Sequence, residues 1–286
     1  MILKYEAGLV LEGGGMRAAY TQGVLDFFME NKIDFTYIVG VSAGVGCAMN
    51  FITKQIGRAC KLSVDYANDK RIVGFGNLIR YGQYFNLDTI YNKLDKEVFF
   101  DHDAFRRSDT TFYAGCFNVD TGVVEYFSKK EMAASTKPII ASSSLPLISK
   151  IVEIRGNKYL DGGIKDSIPI NRSIADGNKK NVVILTNPIE YRREKESSLP
   201  LIKILYFRYP KLIAALKERH NVYNKTVEMI NQMEENHEVF VIRPSKKLSV
   251  SRYSKDKETL MEAYNQGYED AREREDELLK YLKGVL

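Results

Sequence analysis

The 286-residue chain has no tryptophan, three histidines and three cysteines, and each scarcity narrows what it can be. Cys47, Cys60 and Cys116 are odd in number and lack metal-ligand spacing. They are expected to be reduced core residues of a cytoplasmic protein, with neither a disulfide frame nor a zinc site. Neither a metal nor an organic cofactor is expected. No run of about 18 apolar residues occurs, so no segment is expected to span a membrane. The opening Met1-Ile2-Leu3-Lys4-Tyr5-Glu6 leads at once into a strand, without the basic and apolar regions of a secretory signal. The charge excess is small: a net +5 falls short of a nucleic-acid-binding composition, and nucleic acid is not expected as a partner. Internal repeats and low-complexity segments are also missing. What remains is ordinary for a globular chain, 44% apolar and 28% charged, long enough for one large domain or one domain with an appendage.

Short apolar runs at 7–11, 37–39, 111–117, 181–186 and 238–242 read as strands. Helices are expected over 18–31, from 43 to about 52, and over 58–67, 87–96, most of 199–236, and 256–282. One hairpin joins 111–117 to 123–127 through Asp120-Thr121-Gly122. A second joins 151–154 to 158–160 through the two-residue turn Gly156-Asn157. The Gly-, Tyr- and Phe-rich stretch 69–86 reads as an irregular loop, either near a functional site or packed over the core. Strands alternating with helices and interrupted by two hairpins argue for a layered α/β fold with a mostly parallel sheet.

Against that background Gly40-Val41-Ser42-Ala43-Gly44 stands out. A serine between two glycines, Gly40 and Gly44, at a strand-to-helix junction is the pattern of a nucleophile elbow, although Gly and Ser are common in any tight turn. A second glycine run, Glu12-Gly13-Gly14-Gly15-Met16-Arg17, also lies between a strand and a helix, where backbone N–H groups point at an anion. A dinucleotide fingerprint fails there, because Ala18 stands at its last position and the second strand lacks the acidic residue at its end. A Walker A loop fails for want of Gly-Lys-Ser/Thr. The use that survives is to hold a developing oxyanion.

A serine nucleophile needs a base. His102, His220 and His237 are each flanked by charge and read as solvated surface residues. The elbow also follows the second strand, too early for an α/β-hydrolase. Asp161 is the better candidate: it follows a short strand and precedes Gly162-Gly163, which let backbone and substrate approach closely. A buried carboxylate can act as base directly, while the bland reading of Asp161-Gly162-Gly163 is a turn after a hairpin.

Taken together and in order, Gly13-Gly14-Gly15-Met16-Arg17, Gly40-Val41-Ser42-Ala43-Gly44, Ala141-Ser142-Ser143-Ser144-Leu145-Pro146 and Asp161-Gly162-Gly163 resemble the four blocks of patatin-like phospholipases, with Pro169 fitting as well. The resemblance covers roughly residues 7–190. It implies a three-layer α/β/α patatin-like fold with a mostly parallel central sheet, and a lipid acyl hydrolase working through a Ser-Asp dyad. Ser42 would be the nucleophile, Asp161 the base, and Gly13, Gly14, Gly15 and Met16 the oxyanion loop. The family's glycine after the arginine is Ala18 here, a small change at the first helical turn. Arg17 could attract an anionic headgroup or pin the oxyanion loop, and the structural role is favoured. Ser142, Ser143 and Ser144 lack glycine on both sides and are expected to shape the acyl pocket.

Residues 1–190 are thus expected to form the catalytic core, and 191–286 a helical and strand extension completing the same domain. Residues 190–225 carry nine Lys or Arg against four Glu. Within them 199–217 mixes apolar, aromatic and cationic residues, the make-up of a peripheral contact with anionic lipid. The alternative is a helical flap within 191–237 whose apolar side packs on the core, and that reading is favoured because Pro200 and Pro210 interrupt the helix. Besides lipid hydrolysis, the residues leave open a non-lipid carboxylesterase or thioesterase, and a low-turnover regulatory protein that keeps the fold.

Overall fold

The computed structural model describes residues 3–94 and 97–285. Its first half runs β1 (Leu3–Leu11), α1 (Ala18–Glu30), β2 (Ile33–Val41), α2 (Ala43–Ile52), α3 (Arg58–Asp65), α4 (Phe75–Tyr81), α5 (Leu87–Asn92), α6 (His102–Arg107), β3 (Thr111–Asn118) and β4 (Val124–Ser128). Then follow α7 (Lys129–Ala134), α8 (Lys137–Ser142), β5 (Val152–Ile154), β6 (Asn157–Asp161), α9 (Ile170–Ala175), β7 (Asn181–Ile184), α10 (Leu199–Leu205), α11 (Pro210–Glu235), β8 (Val239–Ile242), α12 (Lys257–Glu273) and α13 (Glu275–Lys283).

Strands β3, β2, β1, β7 and β8 pair in that order and run parallel. Their apolar runs are buried on both faces, as a parallel sheet between helical layers requires. On one face α1, α2, α12 and α13 close over Leu9, Leu11, Ile38, Val182 and Ile184. On the other, α11 lays Tyr223, Val227 and Ile230 against Val10, Val39, Val183 and Val241. The architecture is a three-layer α/β fold with a mixed, mostly parallel sheet.

The hairpins decide what happens at the end of the sheet. Both β2 and β4 pair with residues 113–115 of β3, so they occupy its opposite edges. Both β4 and β6 pair with residues 116–117, so β6 lies on the same edge as β2. β2 and β6 therefore meet end to end along β3: Val41 pairs with Gly115 and Asp161 with the next residue, Cys116. That arrangement brings the residue after β2, Ser42, up to the last residue of β6.

Helices α1 and α12 cross at two glycines. A Cβ on Gly23 would fall 2.0 Å from the Tyr264 carbonyl oxygen, and one on Gly267 2.0 Å from that of Tyr20. The obstacle is backbone on both sides, so the helices must part to admit a methyl group. Gly267→Ala should destabilise the protein by about 2 kcal/mol or more, outweighing the ~1 kcal/mol helix-propensity gain. A urea midpoint equal to that of the wild type would show that the helices do not meet at these glycines.

Several expectations are corrected locally. The stretch 69–86 is not wholly irregular but contains α4, started at Gly74 and stopped at Gly82, both with positive φ. The helix expected over 87–96 ends at Asn92, and its last two positions, like Met1 and Ile2, lie outside the described residues. The hairpin turn is Arg155-Gly156, one residue earlier than Gly156-Asn157. Both central residues have positive φ, 52° and 78°, as a type I′ turn needs, which moves Asn157 into β6. The expected tail helix is two, broken at Arg274, whose guanidinium stacks on Phe240 at 4.4 Å and pairs with Glu277 at 3.0 Å. α6, α7 and α9 were not foreseen, although Ser128 and Glu131 form a capping box at the start of α7. Pro200 and Pro210 lie in the first turns of α10 and α11, where the missing N–H has no intrahelical partner to lose. Cys47, Cys60 and Cys116 are buried and unpaired.

Candidate active site

Ser42 sits between β2 and α2 at φ 55°, ψ −132°, a conformation that L-residues avoid and that costs of order 1–3 kcal/mol. The surroundings over-determine it. A Cβ on Gly44 would fall 2.9 Å from the Leu11 carbonyl oxygen, and one on Gly40 3.1 Å from the Gly44 carbonyl carbon, so the elbow is wedged against the end of β1. The Ser42 N–H donates to Ser142 Oγ at 3.0 Å, and that hydroxyl donates to the Gly115 carbonyl at 2.7 Å. Ser142 thus ties the elbow to β3. This corrects its expected place in the acyl pocket, which it does not line; Ser143 does. Ser144 donates to the Ile140 carbonyl, and its own carbonyl accepts the Asp161 N–H at 2.8 Å.

Asp161 is 1% exposed. Its Oδ1 accepts the Gly163 N–H at 2.7 Å. No donor meets Oδ2 in hydrogen-bond geometry among the described residues, while the Ser42 hydroxyl lies close enough to act on the carboxylate. Burial pushes the Asp161 carboxyl above the usual range, opposed by the Ser42 hydroxyl, the Arg219 guanidinium, the Gly163 N–H and Arg252. Gly162 is needed for close packing: its Cβ would meet the Gly115 carbonyl oxygen at 2.4 Å.

The glycine loop closes the other side. Gly13 N–H donates to the Ser167 carbonyl at 3.2 Å and Met16 N–H to the Arg252 carbonyl at 3.1 Å. Those two donors hold the loop in place. Among the described residues no carbonyl takes the N–H of Gly14 or Gly15. Gly15 has φ 59°, and a Cβ on Gly14 would press on Thr186 Oγ1 at 2.9 Å. Arg17 has its guanidinium 6.0 Å from the Tyr191 ring centroid, with Nε and one Nη buried and without a hydrogen-bond partner. The ion pair or carbonyl contact expected of it is not made among the described residues.

Four residues of this surround escaped the sequence reading. Glu12, fully buried at the end of β1, accepts from the Thr186 N–H at 2.6 Å, the Thr186 hydroxyl at 3.1 Å, Asn187 Nδ2 at 3.4 Å and the Tyr223 hydroxyl at 2.9 Å. It fastens the glycine loop to β7 and α11. Arg219 Nε donates to the Gly163 carbonyl at 2.8 Å, and Arg193 stacks on Tyr223 at 3.8 Å while donating to Ser167 Oγ at 2.8 Å. Arg252 lies beside Gly15. A charged residue ending an apolar strand, as Glu12 does, was a visible signal; the three arginines had none.

Two connected spaces meet at Ser42. A recess of about 20 Å3 is lined by Gly13, Gly14, Gly15, Ser42, Asp161 and Arg219 among others, with no histidine. A cavity of about 540 Å3 opens beside it, walled by Met49, Leu62, Phe85, Ile90, Met132 and Ile139 among others. Part of its wall comes from the stretch 69–86, which builds a small core of its own around Ile72 and Val73. His102 reaches this cavity and packs edge-on against Phe100; His237 is exposed, and His220, expected on the surface, is half-buried on α11. Among the described residues no cluster could hold a metal ion, and no helix is long and apolar enough to cross a membrane.

The fold and this site define a three-layer α/β protein with an elbow serine, a buried aspartate and a glycine loop at the mouth of an apolar cavity. The sequence profile of patatin-like phospholipases matches residues 9–173, and this chain belongs to that family. Residues 209–283 match a domain of unknown function, DUF6363. The uncharacterized protein YjjU of Escherichia coli (strain K12) is 33% identical over 185 residues, 63% of this chain and 52% of YjjU. The match thus spans about half of that relative's length. A protein named "Probable lipid hydrolase 463L" of Invertebrate iridescent virus 6 is 26% identical over 198 residues, 62% of this chain and 67% of its own. The crystal structure of VipD from Legionella pneumophila is similar with a TM-score of 0.52 at 14% identity, over 98% of this chain and 67% of VipD; that likeness concerns the fold.

Proposed function

We propose that the chain is a lipid acyl hydrolase that works through a Ser42–Asp161 dyad. The observation that carries this reading is the strained elbow serine facing a buried, incompletely hydrogen-bonded carboxylate at the mouth of a cavity of about 540 Å3. Asp161 Oδ2 takes the hydroxyl proton as Ser42 Oγ attacks the ester carbonyl carbon. The Gly14 and Gly15 N–H groups hold the oxyanion, Gly13 and Met16 being the loop's anchors. Protonated Asp161 then delivers the proton to the leaving alcohol, and water cleaves the acyl-enzyme by the reverse path. The apolar cavity takes the acyl chain, and no step calls for a metal or cofactor.

A fluorophosphonate probe should label the wild-type protein, and Ser42→Ala should abolish the labelling. Equal labelling of the two would place the nucleophile elsewhere.

We further read 191–286 as part of the same domain, since β8 extends the sheet beside β7 and α11 covers one face. The buried stripe of α11 fits a covering helix better than a mobile flap. α10 is different: Ile204 is 70%, Leu205 60% and Phe207 68% exposed, next to Lys203, Arg208 and Lys211. Exposed apolar and cationic groups in one short stretch suit a peripheral contact with an anionic bilayer from the cytoplasmic side. Co-sedimentation with vesicles containing phosphatidylglycerol should exceed that with neutral vesicles and fall in Ile204→Ser/Phe207→Ser. Equal recovery in all three supernatants would dispose of the contact.

A further inference from the structure

The stretch matched by the domain of unknown function brings two arginines, Arg219 and Arg252, into the recess beside Ser42. They are held differently. Arg219 is 9% exposed; its Nε is taken by the Gly163 carbonyl at 2.8 Å, and its Nη1 lies 3.8 Å from Glu196. Its charge also faces Asp161. Arg193, behind it, is opposed by Glu12. Each of these guanidinium groups already has its counter-charge.

Arg252, half-buried between β8 and α12, is tied by no such direct contact and shares Asp161 and Glu196 with Arg219 only through longer-range attraction. Its main-chain carbonyl accepts the Met16 N–H, and its stem lies against Gly15, with Cγ 2.6 Å from where a Cβ there would fall. Its guanidinium makes no hydrogen bond, and no carboxylate lies within 4.0 Å of it among the described residues. Gly15, Ser42, Leu145 and Arg252 line both the recess and the large cavity, and Arg252 is the charged member of that set. An ester whose acyl chain fills the apolar cavity has its carbonyl at Ser42, and with the recess of about 20 Å3 taken by the oxyanion, its alcohol portion lies on the cavity side, which Arg252 also lines. A neutral alcohol would leave that guanidinium without a hydrogen-bonded partner. A phosphate one or two glycerol carbons from the ester would supply one, in the two-pronged geometry that arginine offers.

We propose that Arg252, backed by Arg219, is the subsite for the phosphate of an acyl glycerophosphate, so that the C-terminal stretch sets selectivity for phosphorylated over neutral acyl glycerols. This rests on the lipid-hydrolase reading of Ser42, and a binding measurement tests it without turnover. In Ser42→Ala, titration calorimetry with 1-octanoylglycerol 3-phosphate and with 1-octanoylglycerol should show the phosphorylated ligand bound about tenfold or more tightly. Adding Arg252→Gln should remove most of that ratio, and Arg252→Lys should keep part of it. The Met16 bond survives both changes because it is made by the main chain, and matching thermal melts check that the variants are folded. Inorganic phosphate that competes with octanoylglycerol phosphate at millimolar levels would mean that the subsite takes free phosphate as well as the headgroup. Absence of competition would confine it to the lipid. Equal affinity for the two octanoyl ligands would overturn the proposal. So would an Arg252→Gln loss equal for both, since a residue that only supports Asp161 would affect them alike. Failure of the wild type to react with fluorophosphonate would count against the hydrolase reading alone.

Discussion

Asp161→Asn should lower kcat on a short-chain nitrophenyl ester by about 10²–10⁴-fold, the usual contribution of a positioned general base. The substitution preserves shape. The retained side-chain oxygen can still accept the Gly163 N–H, which now meets Oδ1 at 2.7 Å. The amide that replaces Oδ2, however, cannot take a proton from Ser42. Stability should not suffer. Because burial raises the carboxyl's folded-state pKa, the stabilisation tied to this group is present below its unfolded pKa and lost as pH rises through the folded one. Above the folded-state pKa none of it remains, so at a pH where the base is ionised the melting temperature of the variant should match or exceed that of the wild type. The same shift gives the pH profile its form: the base must be ionised, so kcat/KM should fall on the acid side at a pH above the ordinary carboxylate range. Arg219→Gln removes a cation that lowers this pKa, so the acid limb should move to higher pH. A fully active Asp161→Asn, or an acid limb that moves the other way in Arg219→Gln, would refute Asp161 as the base.

Glu12→Ala should destabilise the protein by about 3–5 kcal/mol, the cost of removing one partner from a buried charged network. The loss would strand the Thr186 N–H and the hydroxyl protons of Thr186 and Tyr223, all buried, and leave Arg193 without its opposing charge. The position of Gly14 is set in part by Thr186, so labelling of Ser42 by fluorophosphonate should slow as well. Glu12→Gln keeps the shape and two acceptor lone pairs on its carbonyl oxygen, and it should recover part of the stability. Chemical denaturation of the three proteins decides the point; a midpoint for Glu12→Ala within error of the wild type would remove Glu12 from the framework of the loop.

Those two residues show why the sequence was readable in some places and opaque in others. The elbow, the glycine run and the Asp161 block each impose a local backbone requirement, a sharp turn or a close approach, and glycine at fixed spacing advertises it. The alternation of buried strands and helices disclosed the layered fold in the same way. Glu12 takes its meaning from Thr186 and Tyr223, 174 and 211 positions away, and local pattern says nothing of such partners. The closeness of Gly23 to Gly267, the break at Arg274 and the convergence of Arg193, Arg219 and Arg252 are likewise products of packing between distant segments. Ser142 was misjudged for a related reason: its neighbours suggested a pocket wall, whereas its hydroxyl is spent on the elbow and β3. The hairpin turn was misplaced by one residue because Arg155 adopts the left-handed conformation that composition would have reserved for Gly156 and Asn157.

The end-to-end meeting of β2 and β6 along β3 makes that strand a ruler. Neighbouring residues of a strand are about 3.3 Å apart and point to opposite faces. A slip of β6 by one position would therefore turn the Asp161 carboxylate through the sheet and away from Ser42, with little change in the sheet itself. The distance between the two reacting groups is thus counted out in peptide units by Gly115 and Cys116, a strand that contributes neither group. Insertions in the long segments between the two blocks leave that count untouched, while a single-residue deletion within β3 changes it.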